Sequence, residues 1–203
     1  MKIILASHNL HKVEEMKTVL RDLPIEIITL DDYPDVGDIE ETGETLKENA
    51  LLKARTVNRI TGIPAIGDDT GLEVDSLNGG PGVYSARYAG EHATYEDNVK
   101  KLLAEMSDIG ENERTARFRT VAAFVDGETE LTSKGKIEGM ITFEPKGTSG
   151  FGYDPLFFIP EMNCTFAELS AEEKNKISHR GHALQNLYKH LSAYWSSKLY
   201  SGV

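Results

Sequence analysis

The sequence has little cysteine and no long hydrophobic run. Cys164 is its only cysteine, so an intramolecular disulfide is impossible and a disulfide-stapled fold is excluded. The first apolar run, Ile3 to Ala6, stops at Ser7 and is too short for the core of a signal peptide. No stretch approaches the roughly 20 apolar residues of a membrane span. We therefore expect a cytoplasmic protein that does not bind membranes.

Positive charge is also scarce. The 203 residues carry 22 Lys and Arg against 33 Asp and Glu, a formal net charge of −11. The field of such a chain repels a polyanion, which argues against a nucleic acid as partner. Any phosphate group has to be bound by local cations. With 39% hydrophobic and 27% charged residues, the composition is that of one globular domain over residues 1–203.

Strand-like and helix-like segments alternate in the first half. Residues 3–6 and 25–30 predict strands, and Val13, Met16 and Leu20 have helical spacing. Thr45 and Glu48 form a capping-box pattern that opens a second helix. Residues 64–67 predict a short buried strand that ends at Asp68 and Asp69, and residues 77–83 predict a loop.

Hairpin-like strands dominate the middle of the chain. Asp126-Gly127-Glu128 separates two strand-like runs, 117–125 and 130–137, which is typical of a hairpin. Further helices are predicted from Thr94 and over residues 183–195. Together the segments predict an α/β fold with a mixed central sheet flanked by helices.

The first candidate site follows the first strand. A polar turn that leads into a helix presents backbone N–H groups and the positive end of the helix dipole. A lysine there adds a point charge, so the segment suits a phosphate. The alternative is that Ser7 or Asn9 only caps the helix. The segment consists of Ser7, His8, Asn9, Leu10, His11 and Lys12.

Two acidic pairs form the second candidate. Asp68 and Asp69 follow a buried strand, where α/β proteins place their sites, and Glu40-Glu41 lies in an acidic stretch. Because side chains alternate along a strand, Asp68 and Asp69 should point in different directions. Carboxylate oxygens suit Mg²⁺. The alternative is that these are solvated acids of an acidic chain.

The third candidate is a possible pocket for a flat ring. Glycines allow close approach of a ligand, aromatic rings can stack on it, and a carboxylate can accept from a ring N–H. Charged groups near the last helix and on the second helix add donors. The alternatives are that the aromatic residues belong to the hydrophobic core and that the charged groups lie on solvated helix faces. The residues are Phe151, Gly152, Tyr153, Asp154, Lys174, His179, Arg180 and Lys53.

In order along the chain, these segments resemble the inosine/xanthosine triphosphate pyrophosphatase family over nearly the whole length. The resemblance is carried by Leu5-Ala6-Ser7-x-Asn9-x-x-Lys12, Glu41-Thr42-Gly43, Glu48-Asn49-Ala50 with Lys53-Ala54, Asp68-Asp69-Thr70-Gly71-Leu72, Pro81 to Arg87, Phe151 to Pro155, and Glu173-Lys174 through Ser178-His179-Arg180. The family usually has Gly where this chain has His8.

The resemblance implies a fold, an activity and residue roles. The fold would be an elongated mixed sheet with a cleft between two lobes, and the protein a homodimer. The reaction would be hydrolysis of ITP, dITP and XTP to the monophosphate and pyrophosphate with Mg²⁺. Asp69 would be catalytic and a metal ligand with Glu40, although adjacency leaves Glu40 and Glu41 as alternatives. Phosphates would be bound by Ser7 to Lys12 and Lys53, the substrate would touch Thr70, and the purine would be held by Phe151, Gly152, Tyr153, Asp154, Lys174, His179 and Arg180.

Two other functions remain open at this stage. A Maf-like pyrophosphatase would share the architecture and prefer other nucleotides. A nucleotide sensor would bind without turnover.

Overall fold

The computed structural model describes residues 2–200, with side chains through residue 196. Its helices are α1 (Leu10–Leu20), α2 (Leu46–Thr61), α3 (Tyr95–Glu105), α4 (Ala171–Ile177) and α5 (His179–Tyr200). Its strands are β1 (Lys2–Leu5), β2 (Glu26–Thr29), β3 (Ala65–Val74), β4 (Pro81–Gly82), β5 (Thr115–Asp126), β6 (Thr129–Ile141), β7 (Phe157–Ile159) and β8 (Cys164–Thr165). Among these residues, no helix is long and apolar enough to cross a membrane.

The strands form one mixed sheet, which confirms the predicted α/β class. Its order is β2-β1-β3-β5-β6-β7-β8, with β4 paired to β3. β1 runs parallel to β2 and β3, whereas β3–β4, β6–β7 and β7–β8 are antiparallel pairs. The predicted hairpin is also present, because Gly127 and Glu128 join the neighbouring strands β5 and β6.

β3 is longer than its sequence pattern predicts. The expected strand ended before Asp68, but β3 continues to Val74. Its parallel pairing with β1 joins Ile4 to Ala65 and Leu5 to Ile66, and its antiparallel pairing with β4 joins Leu72 to Gly82. The pairing with β4 also shows that residues 77–83, which were predicted to be a loop, contain a two-residue strand. The two acids therefore lie inside a strand, between its parallel and antiparallel parts.

The chain divides into two compact units. Unit 1 holds the described residues up to Asp69, Thr120–Gly135, and those from Arg180 onward. Unit 2 holds Thr70–Arg119 and Lys136–His179. β3, β5 and β6 each contribute residues to both units.

In unit 1 the alternating side chains of β1 enter two different core clusters. Ile3 and Leu5 pack with Met16 of α1 and Leu184 of α5. Ile4 packs in a separate cluster with Val57 of α2. Both faces of β1 are thus covered by helices, which explains why its pattern is a continuous apolar run.

In unit 2 the core is rich in aromatic rings. Phe118 of β5 lies 4.7 Å from the ring of Phe157 of β7, and Phe157 lies 5.1 Å from Phe166. Leu102 and Met106, from α3 and its C-terminal end, join the same cluster. The apolar residues after Tyr153 therefore belong to the core of this unit.

Candidate active site

The predicted phosphate segment of unit 1 is a capped helix start. Asn9 Oδ1 accepts from the backbone N–H of His11 at 3.1 Å and of Lys12 at 3.3 Å. Ser7 Oγ accepts from the N–H of Asn9 at 3.2 Å. Leu10 is exposed, and His8 Nε2 lies 3.0 Å from the carbonyl of Gly37. Asn9 therefore caps the helix, as the alternative interpretation predicted. The cap binds only the backbone N–H of Lys12, so the side chain of Lys12 can reach Asp68.

Asp68 and Asp69 contact helices on opposite sides of β3. Asp68 Oδ2 lies 3.5 Å from Lys12 Nζ of α1 and accepts from Arg180 Nε of α5 at 2.9 Å. Asp69 contacts α2, through Asn49 and Lys53. The predicted divergence of the two carboxylates is confirmed, and it follows from the alternation of side chains along a strand.

The Asp68 cluster is a buried arrangement of opposite charges. Arg180 also donates from Nη1 to Glu15 Oε2. Burial alone would raise the pKa of Asp68, but Lys12, Arg180 and Lys53 hold it well below its usual range. Burial lowers the pKa of Lys12, although Asp68 opposes the shift. The carboxylates raise the pKa of Arg180 against the effect of its burial. Asp68 therefore stays ionised, and Oδ1 is buried with no hydrogen-bond partner in the described part of the chain.

The Asp69 cluster is built on one face of α2. Lys53 Nζ donates to Glu41 Oε1 at 2.5 Å and lies 3.8 Å from Asp69 Oδ1. Burial raises the pKa of Asp69, while Lys53 and Lys12 oppose the shift. Burial alone would lower the pKa of Lys53, but Asp69, Asp68 and Glu41 raise it. A buried carboxyl whose pKa is raised is suited to accept a proton.

Close packing of α2 on β3 and on the acidic loop fixes this cluster. A Cβ at Gly67 would lie 2.5 Å from the carbonyl oxygen of Ala50. A Cβ at Gly43 would lie 2.6 Å from Asn49 Oδ1. Glycine is therefore required at both positions for the backbone to approach the helix.

Glu40 and Glu41 have different environments. Glu41 is half-buried and reaches Lys53, whereas Glu40 is exposed. Within residues 2–200, no three His, Cys, Asp or Glu side chains form a metal-binding group. Mg²⁺ fits this donor set nonetheless, because it commonly takes only one or two carboxylates and fills its shell with water and phosphate oxygens. The buried, unpartnered Asp68 Oδ1 is an additional hard oxygen.

A second group of predicted residues meets in unit 2. Lys174 Nζ donates to Asp154 Oδ2 at 2.6 Å and lies 4.7 Å from the centre of the Phe151 ring. Asp154 Oδ2 also accepts from the N–H of Phe151 at 2.8 Å. The positive φ of Gly150 and Gly152 shapes this turn. The arrangement presents an aromatic face beside a buried ion pair.

Two predicted ring-binding residues are core side chains of unit 2. Tyr153 is buried and donates from its hydroxyl to the carbonyl of Ser85 at 2.9 Å, and burial raises its pKa. His179 is buried and stacks on Phe118, with ring centres 4.5 Å apart. Thr70, the first residue of this unit, is half-buried on β3 directly after Asp69.

Sequence reasoning assigned no individual role to two polar side chains that join these clusters. Asn49 lies four residues before Lys53 and Glu15 three residues after Lys12. Those spacings place each beside its lysine on a helix face, a signal from which sequence reasoning drew no inference.

Comparisons with known proteins agree on one family. The model of the Ham1 family matches residues 3–190. A protein of Thermoanaerobacter sp. strain X514, named dITP/XTP pyrophosphatase, is 52% identical over 192 residues, covering 94% of this chain and 96% of that protein. One of Geobacter sulfurreducens with the same name is 49% identical, covering 94% and 96%. The solved structure of a HAM1 protein from Coxiella burnetii has a TM-score of 0.86 at 44% identity, covering 95% and 99% of the two chains.

Proposed function

Because the chain belongs to the Ham1 family, we propose that it hydrolyses non-canonical purine nucleoside triphosphates, namely ITP, dITP and XTP, to the monophosphate and pyrophosphate. The observation that carries the proposal is the buried Asp69, held by Asn49 and Lys53 beside a second cluster of Asp68, Lys12 and Arg180. Relatives about half identical over nearly their whole length are named dITP/XTP pyrophosphatase.

The triphosphate would be bound in unit 1. Lys53 is buried and Lys12 is partly buried in this unit, and the turn Ser7 to Asn9 leads into the N-terminus of α1. Such a helix start attracts anions. Both lysines face carboxylates in the free protein, so phosphate oxygens would compete with these carboxylates for them.

Asp69 would take a proton from the attacking water and would share a Mg²⁺ ion with Glu40. The acidic loop offers Glu41 as the alternative ligand, and Glu41 is the one placed at Lys53. When bound, the metal supplies neutralisation of charge on the phosphates and lowers the pKa of water. Lys53 would keep Asp69 oriented, since its charge lies within 3.8 Å of the carboxylate.

The purine would be held by Phe151 to Asp154, Lys174, His179 and Arg180, with Thr70 touching the substrate. An N–H from His179 or Arg180 would donate to the 6-oxo group, whereas the 6-amino group of adenine would place a donor against a donor. A buried donor left without a partner costs about 1–3 kcal/mol, or roughly 10- to 100-fold in specificity.

The test is pyrophosphate release from a panel of nucleoside triphosphates with Mg²⁺. We expect kcat/KM to be highest for ITP, dITP and XTP, lower for ATP, and abolished by Asp69→Asn with the circular dichroism spectrum unchanged. A preference for UTP or dTTP would instead indicate a Maf-like pyrophosphatase. Tight ITP binding without release would indicate a sensor. The Mg²⁺ dependence of activity is compared between Glu40→Gln and Glu41→Gln. The variant that needs more Mg²⁺ identifies which of the two residues binds the metal.

The proposal extends to a cytoplasmic homodimer that does not bind nucleic acid. Its candidate contact is the loop from Gly79 to Tyr88, in which Tyr84 is exposed and lies under the guanidinium of Arg87. Light scattering on a size-exclusion column measures the mass that decides between monomer and dimer.

A further inference from the structure

Asn49 is a fully buried polar side chain on α2 with a partner at each end. Its Oδ1 accepts from the backbone N–H of Gly43 at 2.7 Å. Its Nδ2 donates to Asp69 Oδ2 at 3.0 Å. Burial of an amide is favourable only when both of its ends are hydrogen-bonded, and both contacts lead to the acidic cluster.

The orientation of this amide follows from its partners. The N–H of Gly43 can only donate, so it requires the oxygen of Asn49. The nitrogen must then face Asp69, whose ionised carboxylate can only accept. The rotated amide would place oxygen against oxygen and N–H against N–H. Gly43 therefore determines which atom Asn49 presents to Asp69.

The contact with Gly43 connects the acidic loop to Asp69. Gly43 follows Glu41 by two residues, and the missing Cβ at Gly43 allows the loop to approach Asn49. One amide thus holds both the backbone of the loop that carries the candidate metal ligands and one oxygen of Asp69.

Resting on the proposed function, we infer that Asn49 is a positioning residue: it fixes the rotation of the Asp69 carboxylate and the place of the acidic loop, so that both act on one metal ion and one water. Because its side chain is fully buried, Asn49 would act through Asp69 and the loop and not on the substrate directly. Its loss should lower kcat and weaken metal binding, while at saturating Mg²⁺ the KM for the nucleotide stays unchanged, because other residues bind the nucleotide.

A matched control lies on the same helix. Asn58 donates from Nδ2 to the carbonyl of Ile63 at 2.9 Å and accepts through Oδ1 from the N–H of Gly127 at 3.1 Å. It therefore also bridges two backbone segments within unit 1, but with no carboxylate. Asn58 is less buried than Asn49, so the two variants are compared at equal folded fraction, where a purely structural role would give them equal kcat.

The experiment compares Asn49→Leu with Asn58→Leu. Leucine has nearly the shape of asparagine and no hydrogen bonds. We expect Asn49→Leu to lower kcat for ITP by roughly 10- to 100-fold, because a hydrogen bond to a charged group is lost, with KM changed less than about threefold. Asn58→Leu should keep kcat within about twofold. Asn49→Gln, which restores the amide, should recover part of the loss.

A second readout needs no turnover. Mn²⁺ is titrated into each protein without nucleotide and followed by electron paramagnetic resonance. Weaker Mn²⁺ binding in Asn49→Leu than in Asn58→Leu supports the inference, and equal kcat and equal Mn²⁺ affinity in the two variants overturn it. If the unsubstituted protein releases no pyrophosphate, the proposed function fails, and the Mn²⁺ comparison still decides about Asn49. If Asn49→Leu does not fold, Asn49→Ala against Asn58→Ala is judged by the same criteria.

Discussion

Asp68→Asn should destabilise the protein far more than loss of an exposed ion pair. Asp68 is fully buried, and its Oδ2 accepts a hydrogen bond from Arg180 Nε at 2.9 Å and lies 3.5 Å from Lys12 Nζ. Asparagine preserves the shape but removes the charge, which leaves the buried Arg180 and the partly buried Lys12 with Glu15 as the remaining carboxylate on Arg180. Its amide nitrogen would also occupy the place of Oδ1, which has no partner among the described residues.

The magnitude follows from burial. Breaking a buried ion pair by removing one partner costs about 3–5 kcal/mol, and in a protein of this size each kcal/mol lowers Tm by about 2–4 °C. We expect Tm to fall by roughly 6–20 °C. The control is Glu130→Gln, since Glu130 forms an exposed two-point pair with Arg55 at 2.6 and 2.7 Å. Exposed pairs contribute below about 1 kcal/mol.

The pH dependence provides an independent check. The pKa of Asp68 is lowered in the folded protein from the ordinary value of 3.8, so below that pH the unfolded chain binds the proton while the folded protein does not. The stabilisation by Asp68 is then present above about pH 4 and is lost as pH falls. Urea unfolding at pH 7 and pH 3.5 should show a smaller pH effect in Asp68→Asn. If Asp68→Asn and Glu130→Gln shift Tm equally, the buried-pair reasoning is refuted.

Three further predictions concern stability, each measured by urea unfolding. Gly67→Ala should cost about 1–3 kcal/mol, because the new Cβ would lie 2.5 Å from a backbone oxygen of α2, whereas Gly110→Ala, with its nearest atom at 3.7 Å, should change little; equal effects would contradict this. Arg114→Lys should cost about 1–3 kcal/mol, since the buried guanidinium donates to four backbone carbonyls and a lysine cannot reach them all; an unchanged midpoint would count against it. Leu184→Ala, at a fully buried position, should cost about 2–5 kcal/mol, and exposed Ile60→Ala should cost less.

Local rules account for the parts of the fold that the sequence predicts well. Thr45 and Glu48 form the predicted capping box at the start of α2, because that pattern depends on four consecutive residues. The opposite directions of Asp68 and Asp69 follow from the pleat of a single strand. Such features need no knowledge of distant segments.

The features that sequence reasoning missed depend on distant partners. β3 extends through Asp68 and Asp69, although aspartate has little preference for extended structure, because backbone pairing with β4 continues the strand. Arg180 reaches Asp68 across 112 positions of the chain. No local pattern shows that its guanidinium faces two carboxylates, and the sequence suggested only a donor for the purine.

The charges of the two acidic clusters bear on how an acidic protein would bind the polyphosphate of the proposed substrate. Asp68, Asp69, Glu41 and Glu15 face Lys12, Lys53 and Arg180, so four carboxylates outnumber three cations. These lysines cannot attract a triphosphate by net charge, because each is already balanced. A divalent cation at the carboxylates would add the missing positive charge. The carboxylates would then hold Lys12 and Lys53 less strongly, and the ammonium groups of these lysines would be able to bind phosphate oxygens. Metal and phosphate binding should therefore be coupled through the carboxylates.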